Sequence, residues 1–467
     1  MISGAMMRLP VWLVLVAAIA AAAAVIVIGM ALVHPAQDLI LEAGFAPETI
    51  TPNADGDADV TIFSYRLSRS AHISIRFTNE DGMTFIFREN EPRIPGEHRV
   101  AFSGVVDGYV LEDDLIFGDI ARRLIPDGVY TWELTAVDDA GEQEIRSGTL
   151  TIRDGDAPLP DITEFTVGPG IFTPNQDGIS DRAYINVTIA KDADLAVYLI
   201  NDDGVRIRIP ERFEATRPGE MGRHTFDYDG GLDQNADPPA PGTYTIIATA
   251  QDAVGQRVER TAEIRIENSG KPYAQILTQV SGVSVVFETA EWDERYLSER
   301  DAPGDLVDIP ADPQALSLTT VVLPVGDLLI FKVTIENTGD VPIRTTGPEP
   351  GTVYQWDQNA STLGWFEEPG AWRIGIDCTT AARDYPWRWA VGNADNLIAE
   401  EDPATGATYY YLPPGVRSVI WGAIRMTRIE VYNPQNCWAG LIHEGVSIAE
   451  FNNVVGVREI ELVALDE

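Results

Sequence analysis

The chain has 467 residues, with 72 acidic against 33 basic side chains and a formal charge of −39. That length exceeds one ordinary core and implies about two to four domains, while 45% hydrophobic residues exclude a disordered chain. The charge repels phosphate backbones, so no nucleic-acid partner is expected.

The first element in chain order is apolar. From Leu9 to Gln37 there is no acid, lysine or arginine, and residues 10–33 are apolar almost throughout. Twenty-odd such residues make about 34 Å of helix, enough to span a bilayer. The stretch is longer than the apolar part of a cleaved signal peptide and ends in "GMALVHPAQD" without a small-x-small site, which favours an uncleaved signal anchor. Arg8 precedes it, and Asp38, Glu42 and Glu48 come after it. The positive-inside tendency therefore places residues 1–9 in the cytoplasm, 34–44 as a juxtamembrane linker, and the bulk of the chain outside the plasma membrane.

Beyond the linker the sequence repeats. "TPNADGDADVTIFSYRL" from Thr51 returns as "TPNQDGISDRAYINVTI" from Thr173. Phe63, Tyr65 and Leu67 alternate with polar residues, as do Ile185, Val187 and Ile189. The next run, Ala71, Ile73, Ile75 and Phe77, matches Ala193, Leu195, Val197 and Leu199, and each is closed by "NEDG" or "NDDG". "GEHRVAFSG" aligns with "GRHTFDYDG", and "DGVYTWELTAVDDAG" with "PGTYTIIATAQDAVG". Period-two alternation broken by Gly, Pro, Asn and Asp describes antiparallel strands with one buried face, hence two β-sandwiches over 45–153 and 161–267. The first copy carries an insertion within 105–128 whose acids, Asp113 and Asp114, read as a solvated loop.

These landmarks resemble the bacterial immunoglobulin-like modules of the flagellar hook-capping type, and are similar to the C-terminal modules of gliding-motility surface proteins. The resemblance implies an Ig-like sandwich for each copy. The family usually has Trp-Asp-Gly where this chain has Phe102-Ser103-Gly104 and Tyr228-Asp229-Gly230, and a membrane helix stands where the hook-assembly segment would be. Neither hook capping nor C-terminal sorting is therefore implied.

The acids of the repeated turn admit two readings. Asn53, Asp55, Asp57 and Asp59, and Asn175, Asp177 and Asp181 in the second copy, could offer hard oxygen ligands to calcium. Alternatively Pro52 fixes φ, the Asn and Asp side chains bond their own backbone, and Gly56 accepts positive φ, which makes a turn entering a strand. No other cofactor is expected.

Residues 273–467 differ in composition, with seven of the ten tryptophans between Trp356 and Trp438. "LPVGDLLIFKVTIENTGDVPI" alternates and then breaks, and "EPG", "LPPG" and "YNPQN" punctuate the rest of the region, so a larger C-terminal β-sandwich is expected. Cys378 and Cys437 lie in this exported region and are a natural disulfide pair. Trp387 and Trp389 share one side of a strand and Tyr409 comes later, in "ATYYYLPPG". Exposed, these rings could bind a polysaccharide or a protein partner; buried, they fill a wide core.

Catalytic signatures are missing from the sequence. It has no Gly-x-Ser-x-Gly elbow, P-loop or dinucleotide fingerprint, and His443-Glu444 lacks the second histidine of a zincin. The expectation is an all-β, non-enzymatic, single-pass surface protein whose Ig-like modules present a C-terminal interaction domain. An envelope or matrix carbohydrate-binding protein using Trp387, Trp389 and Tyr409 is the alternative.

Overall fold

A computed structural model describes residues 11–33, 38–212, 216–402 and 405–464. The tail 1–9 and residues 34–37 of the linker lie outside the described residues. Val11–Val33 is one helix whose side chains, where described, face no protein core. Among the described residues it alone is long and apolar enough to cross a membrane, a test that an N-terminal signal sequence also passes.

The other described residues form β-strands, short 3-10 turns and loops around three main cores. In the first module Ile40–Ala46, Thr61–Leu67 and Gly96–Phe102 form a three-stranded sheet. It faces a five-stranded sheet of Thr49–Ile50, Gln143–Ile152, Gly128–Asp138, Ala71–Thr78 and Thr84–Arg93. The alternation works as the pattern demands: Phe63, Tyr65, Leu67, Ile73, Ile75 and Phe77 point inward. Phe77 stacks on Phe102 with ring centroids 4.6 Å apart, and Phe45 sits 4.5 Å from Phe63.

That module begins earlier than the sequence indicates. Residues 40–44, expected as linker, are strand, with Ala43 opposite Tyr65 and Phe45 opposite Phe63. Leu39 and Ile40 are buried in the first core, which outweighs the lack of clean alternation in "LILEAGFA".

The second module pairs Ile162–Gly168, Ala183–Ile189, Gly222–Tyr228 and Glu211–Arg212 against a larger sheet. That larger sheet runs Arg206–Ile209, Asp194–Ile200, Gly242–Gln251 and Arg257–Ile266, then continues into two strands that belong to the first module's insertion. Asp119–Leu124 pairs with Arg257–Ile266, placing Ile120 opposite Val258, and Val105–Asp107 pairs with Asp119–Leu124. The insertion therefore covers an edge strand of its neighbour.

Polar groups buried at this junction are satisfied across it. Gln256, with no exposed surface, accepts from the Leu124 backbone N–H and donates to the carbonyls of Asp156 and Pro158. The Asp161 carboxylate accepts from the backbone N–H groups of Phe117 and Gly118, and Lys191 Nζ bridges Asp156 and Asp252 at 2.6 and 2.7 Å. Val105, Leu124 and Val254 close a small apolar plug beside them. Asp113 is exposed, but Asp114 is not the solvated acid expected of it. It pairs with Arg123, whose hydrogen bond holds the Asp114 carboxyl below its ordinary value.

The third domain packs a five-stranded sheet against an eight-stranded one. The former is centred on Leu328–Asn337 and Arg417–Arg425, the latter on Trp372–Cys378 and Gln435–His443. Cys378 and Cys437 face each other on this last antiparallel pair, Cα atoms 4.0 Å apart, and are disulfide-bonded.

This packing has two measurable consequences. The bridge closes a separation of 59 residues, so a Cys378→Ala, Cys437→Ala variant should lose about 4 kcal/mol of C-terminal-domain stability in denaturant unfolding. A Cβ at position 118 would lie 2.4 Å from Val258 Cγ1 and 2.9 Å from the Glu259 carbonyl oxygen. Gly118→Val should therefore lift the inserted strand, cost about 1–3 kcal/mol, and open 105–125 to limited proteolysis while Cys378 and Cys437 stay bridged.

Candidate functional site

The two copies of the repeated turn have one internal geometry and two surroundings. In the first, the Asp59 carboxylate accepts from the backbone N–H groups of Asn53, Ala54 and Gly56 at 2.7–3.0 Å. Asn53 Oδ1 accepts from the Asp55 N–H, and Asp55 Oδ1 from the Asp57 N–H. In the second, Asp181 accepts from Asn175, Asp177 and Gly178, Asn175 Oδ1 from Asp177, and Asp177 Oδ1 from Ile179. Each is a nest of backbone donors closed on one carboxylate, with Gly56 and Gly178 at positive φ. Of the residues that could offer oxygen to calcium, Asp55 and Asp57 face solvent, while Asn175 and Asp177 are buried. Among the described residues no group of three or more His, Cys, Asp and Glu side chains is placed to hold a metal ion.

The second turn is buried because the C-terminal domain closes over it. Tyr411 Oη donates to Asp177 Oδ2 at 3.1 Å, Arg344 Nε to the Asp177 carbonyl at 2.6 Å, and His443 Nε2 meets the Gln176 carbonyl at 2.7 Å. Two glycines permit the contact. A Cβ on Gly178 would sit 2.1 Å from the Pro369 carbonyl oxygen, and one on Gly370 2.1 Å from the Asp177 carbonyl carbon.

This closure moves three titrations. Burial raises Asp177, and burial with the neighbouring Asp177 charge pushes Asp181 up to about 6. Burial lowers His443 to about 4, so its imidazole is neutral at pH 7 and donates to Gln176.

Arg344 connects the junction to a cleft. It lies on the short strand Ile343–Thr345, is 4% exposed, and besides Asp177 it holds the Pro369 carbonyl at 2.7 Å and Glu368 Oε2 at 3.0 Å. Its guanidinium carbon sits 5.3 Å from the Tyr409 ring centroid. Beside it opens a cleft of about 620 Å³ whose walls include Trp365, Tyr409, Tyr410, Glu349, Thr346 and Asn393.

The wall carrying Trp365 is held from behind. Arg373, with no exposed surface, donates to the carbonyls of Thr346 and Phe366 at 2.6 and 2.7 Å. Glu444 accepts from the Glu368 backbone N–H at 2.9 Å and pairs with Arg373 and Arg388 at 3.1 and 3.0 Å. Burial pushes the Arg373 guanidinium pKa down, opposed by the Glu444 charge. Removing Glu444 would leave that cation stranded.

The expected aromatic platform is not at the surface. Trp389 has no exposed area, donates Nε1–H to the Thr352 carbonyl at 3.0 Å, and packs 4.5 Å from Phe331. Trp387 is 1% exposed and lies 4.9 Å from Trp356. Both serve the core, because the strand Trp387–Ala390 turns that face toward the opposite sheet and leaves Arg388 outermost. Tyr409 alone of the three reaches the cleft, half-buried beneath Arg344. Trp365 and Tyr410, 40% and 50% exposed, complete it. Tyr410 was legible as the residue facing away from Tyr409 and Tyr411; Trp365 sits in a turn-rich stretch with no alternation to orient it.

No family model matches the chain, and no curated protein does. Among solved structures it is similar to a Ca2+-stabilized adhesin that helps an Antarctic bacterium reach out and bind ice. That likeness has 12% identity and a TM-score of 0.20, over 92% of this chain and 74% of that one. A tetra-tandem repeat from the extending region of a large adhesion protein shows 12% identity and a TM-score of 0.16, over 87% and 97%. The native conformation of E. coli alpha-2-macroglobulin shows 11% identity and a TM-score of 0.16, over 92% and 23%. The all-β class rests on the strands and cores themselves.

The junction titrations have opposite signs. Asp181, raised to about 6, contributes stability that is full below its ordinary value and lost as pH rises through about 6. His443, lowered to about 4, contributes stability present above its ordinary value and lost as pH falls through about 4. The two oppose each other between pH 7 and 5. Replacing the imidazole with an amide that keeps the donor, His443→Gln, should make the protein gain about 1–2 kcal/mol relative to the parent on going from pH 7 to 5, read from melting curves.

Proposed function

We propose that the chain is a non-enzymatic, single-pass membrane-anchored surface protein, in which two Ig-like modules act as a spacer for a C-terminal interaction domain. The observation that carries this reading is the order of parts. An apolar helix with no core to join is succeeded by two sandwiches locked to each other through an exchanged strand, and then by a third domain clamped onto the second module's turn. Such junctions hold the last domain at a fixed offset from the first module, which a flexible linker would not do. The likeness of both modules to bacterial Ig-like surface modules and the disulfide fit an extracytoplasmic setting.

The carboxylates around the cleft support a binding role over a catalytic one. Of the two that line it, Glu368 is engaged by Arg344 and serves structure, which leaves Glu349 as a single exposed carboxylate without the second one that acid–base hydrolysis uses. Fractionation tests the anchor and the orientation together. The full-length chain should sediment with membranes, resist high salt, dissolve in detergent, and lose everything beyond the helix when intact cells meet an external protease. Recovery of the intact protein from lipid-free cytosol would overturn the reading.

A further inference from the structure

Seven tryptophans lie between Trp356 and Trp438, and Trp365 alone among them is exposed. Its loop is not loose. The Trp365 N–H donates to the Ala360 carbonyl at 3.0 Å, and the next residues are held in turn by Arg373 on the Phe366 carbonyl, Glu444 on the Glu368 N–H, and Arg344 on the Pro369 carbonyl. A large ring kept in water on a backbone pinned by buried arginines is a preorganised surface, whose ordering entropy is already spent in the free protein.

Tyr410 also lines the cleft, on the strand Thr408–Leu412, opposite Thr345 in the sheet. Besides the two rings the lining supplies hydrogen-bonding groups of both kinds, the Asn393 amide, the Thr346 and Thr408 hydroxyls and the Glu349 carboxylate. The cleft of about 620 Å³ lies within the range for small-ligand sites. Aromatic faces bordering a polar floor suit a molecule with an apolar C–H face and a rim of hydroxyls.

Charge narrows the class. Among the described residues the one cation in the lining, Arg344, is committed to Glu368, to two carbonyls and to the Tyr409 ring, while Glu349 stands exposed in a chain of net charge −39. A uronate or sulfated chain would meet repulsion from Glu349 with no free counter-charge in this lining. We propose that this cleft binds a neutral saccharide, with Trp365 and Tyr410 as stacking faces and Glu349, Thr346 and Asn393 as hydrogen-bonding groups. The biological sense of such a site rests on the surface location argued above, but its chemistry does not.

The test uses the full chain in detergent micelles, titrated calorimetrically and by tryptophan fluorescence with maltotetraose, cellotetraose, N-acetylchitotetraose and tetragalacturonate. At least one neutral probe should give a saturating signal, tetragalacturonate should give none, and Trp365→Ala should weaken binding about tenfold with an unchanged melting curve. Tyr410→Ser should weaken the same probe and serves as the second variant. Silence from all neutral probes, equal binding of tetragalacturonate, or full binding in both variants would overturn the site. Binding with cleavage of the probe would support the site while overturning the non-enzymatic reading, and binding by a protein found in the cytosol would overturn only the location.

Discussion

Every backbone donor or acceptor that a domain junction removes from water needs a partner, and meeting that demand shapes this molecule more than any single core. Between the first and second modules the partner groups come from Gln256, Asp161 and an exchanged strand. Between the second module and the C-terminal domain they come from Arg344, Tyr411 and His443, converging on one turn. Both solutions are specific hydrogen-bond sets rather than broad apolar contacts. They fix orientation as well as adhesion.

The repeated turn shows how one local structure can serve two ends. Its shape comes from within, an aspartate collecting backbone N–H groups while glycine takes positive φ, so the surroundings were free to diverge. The first copy stays in solvent. The second became the seat of a neighbouring domain, and Gly178 is the residue that lets Pro369 approach.

Much of this was legible in the sequence where the signal is local. Alternation at Phe63, Tyr65 and Leu67 is a direct readout of a half-buried strand, and the uncharged stretch before Asp38 reads as a helix because length and composition suffice. The cysteine pair was legible from chemistry and compartment. The features that escaped are set by contacts distant in sequence. Nothing around Ile120 names Val258 as its cross-strand partner, nothing in Asp114 announces Arg123, and the strand from Ile40 forms only because the first core accepts Leu39 and Ile40. The tryptophans stayed open between platform and core for a related reason: Trp387 and Trp389 were rightly placed on one side of a strand, but which side faces the opposite sheet is decided by tertiary packing.

The exchanged strand also changes what kind of repeat this is. Taken alone, the second module would present the strand Arg257–Ile266 with unpaired backbone groups where Asp119–Leu124 now lies, and the first would carry a dangling hairpin. The two copies, though kin in sequence, are thus no longer exchangeable parts. Severing the chain between them would bare that edge and free that hairpin, so the pair behaves as one structural unit.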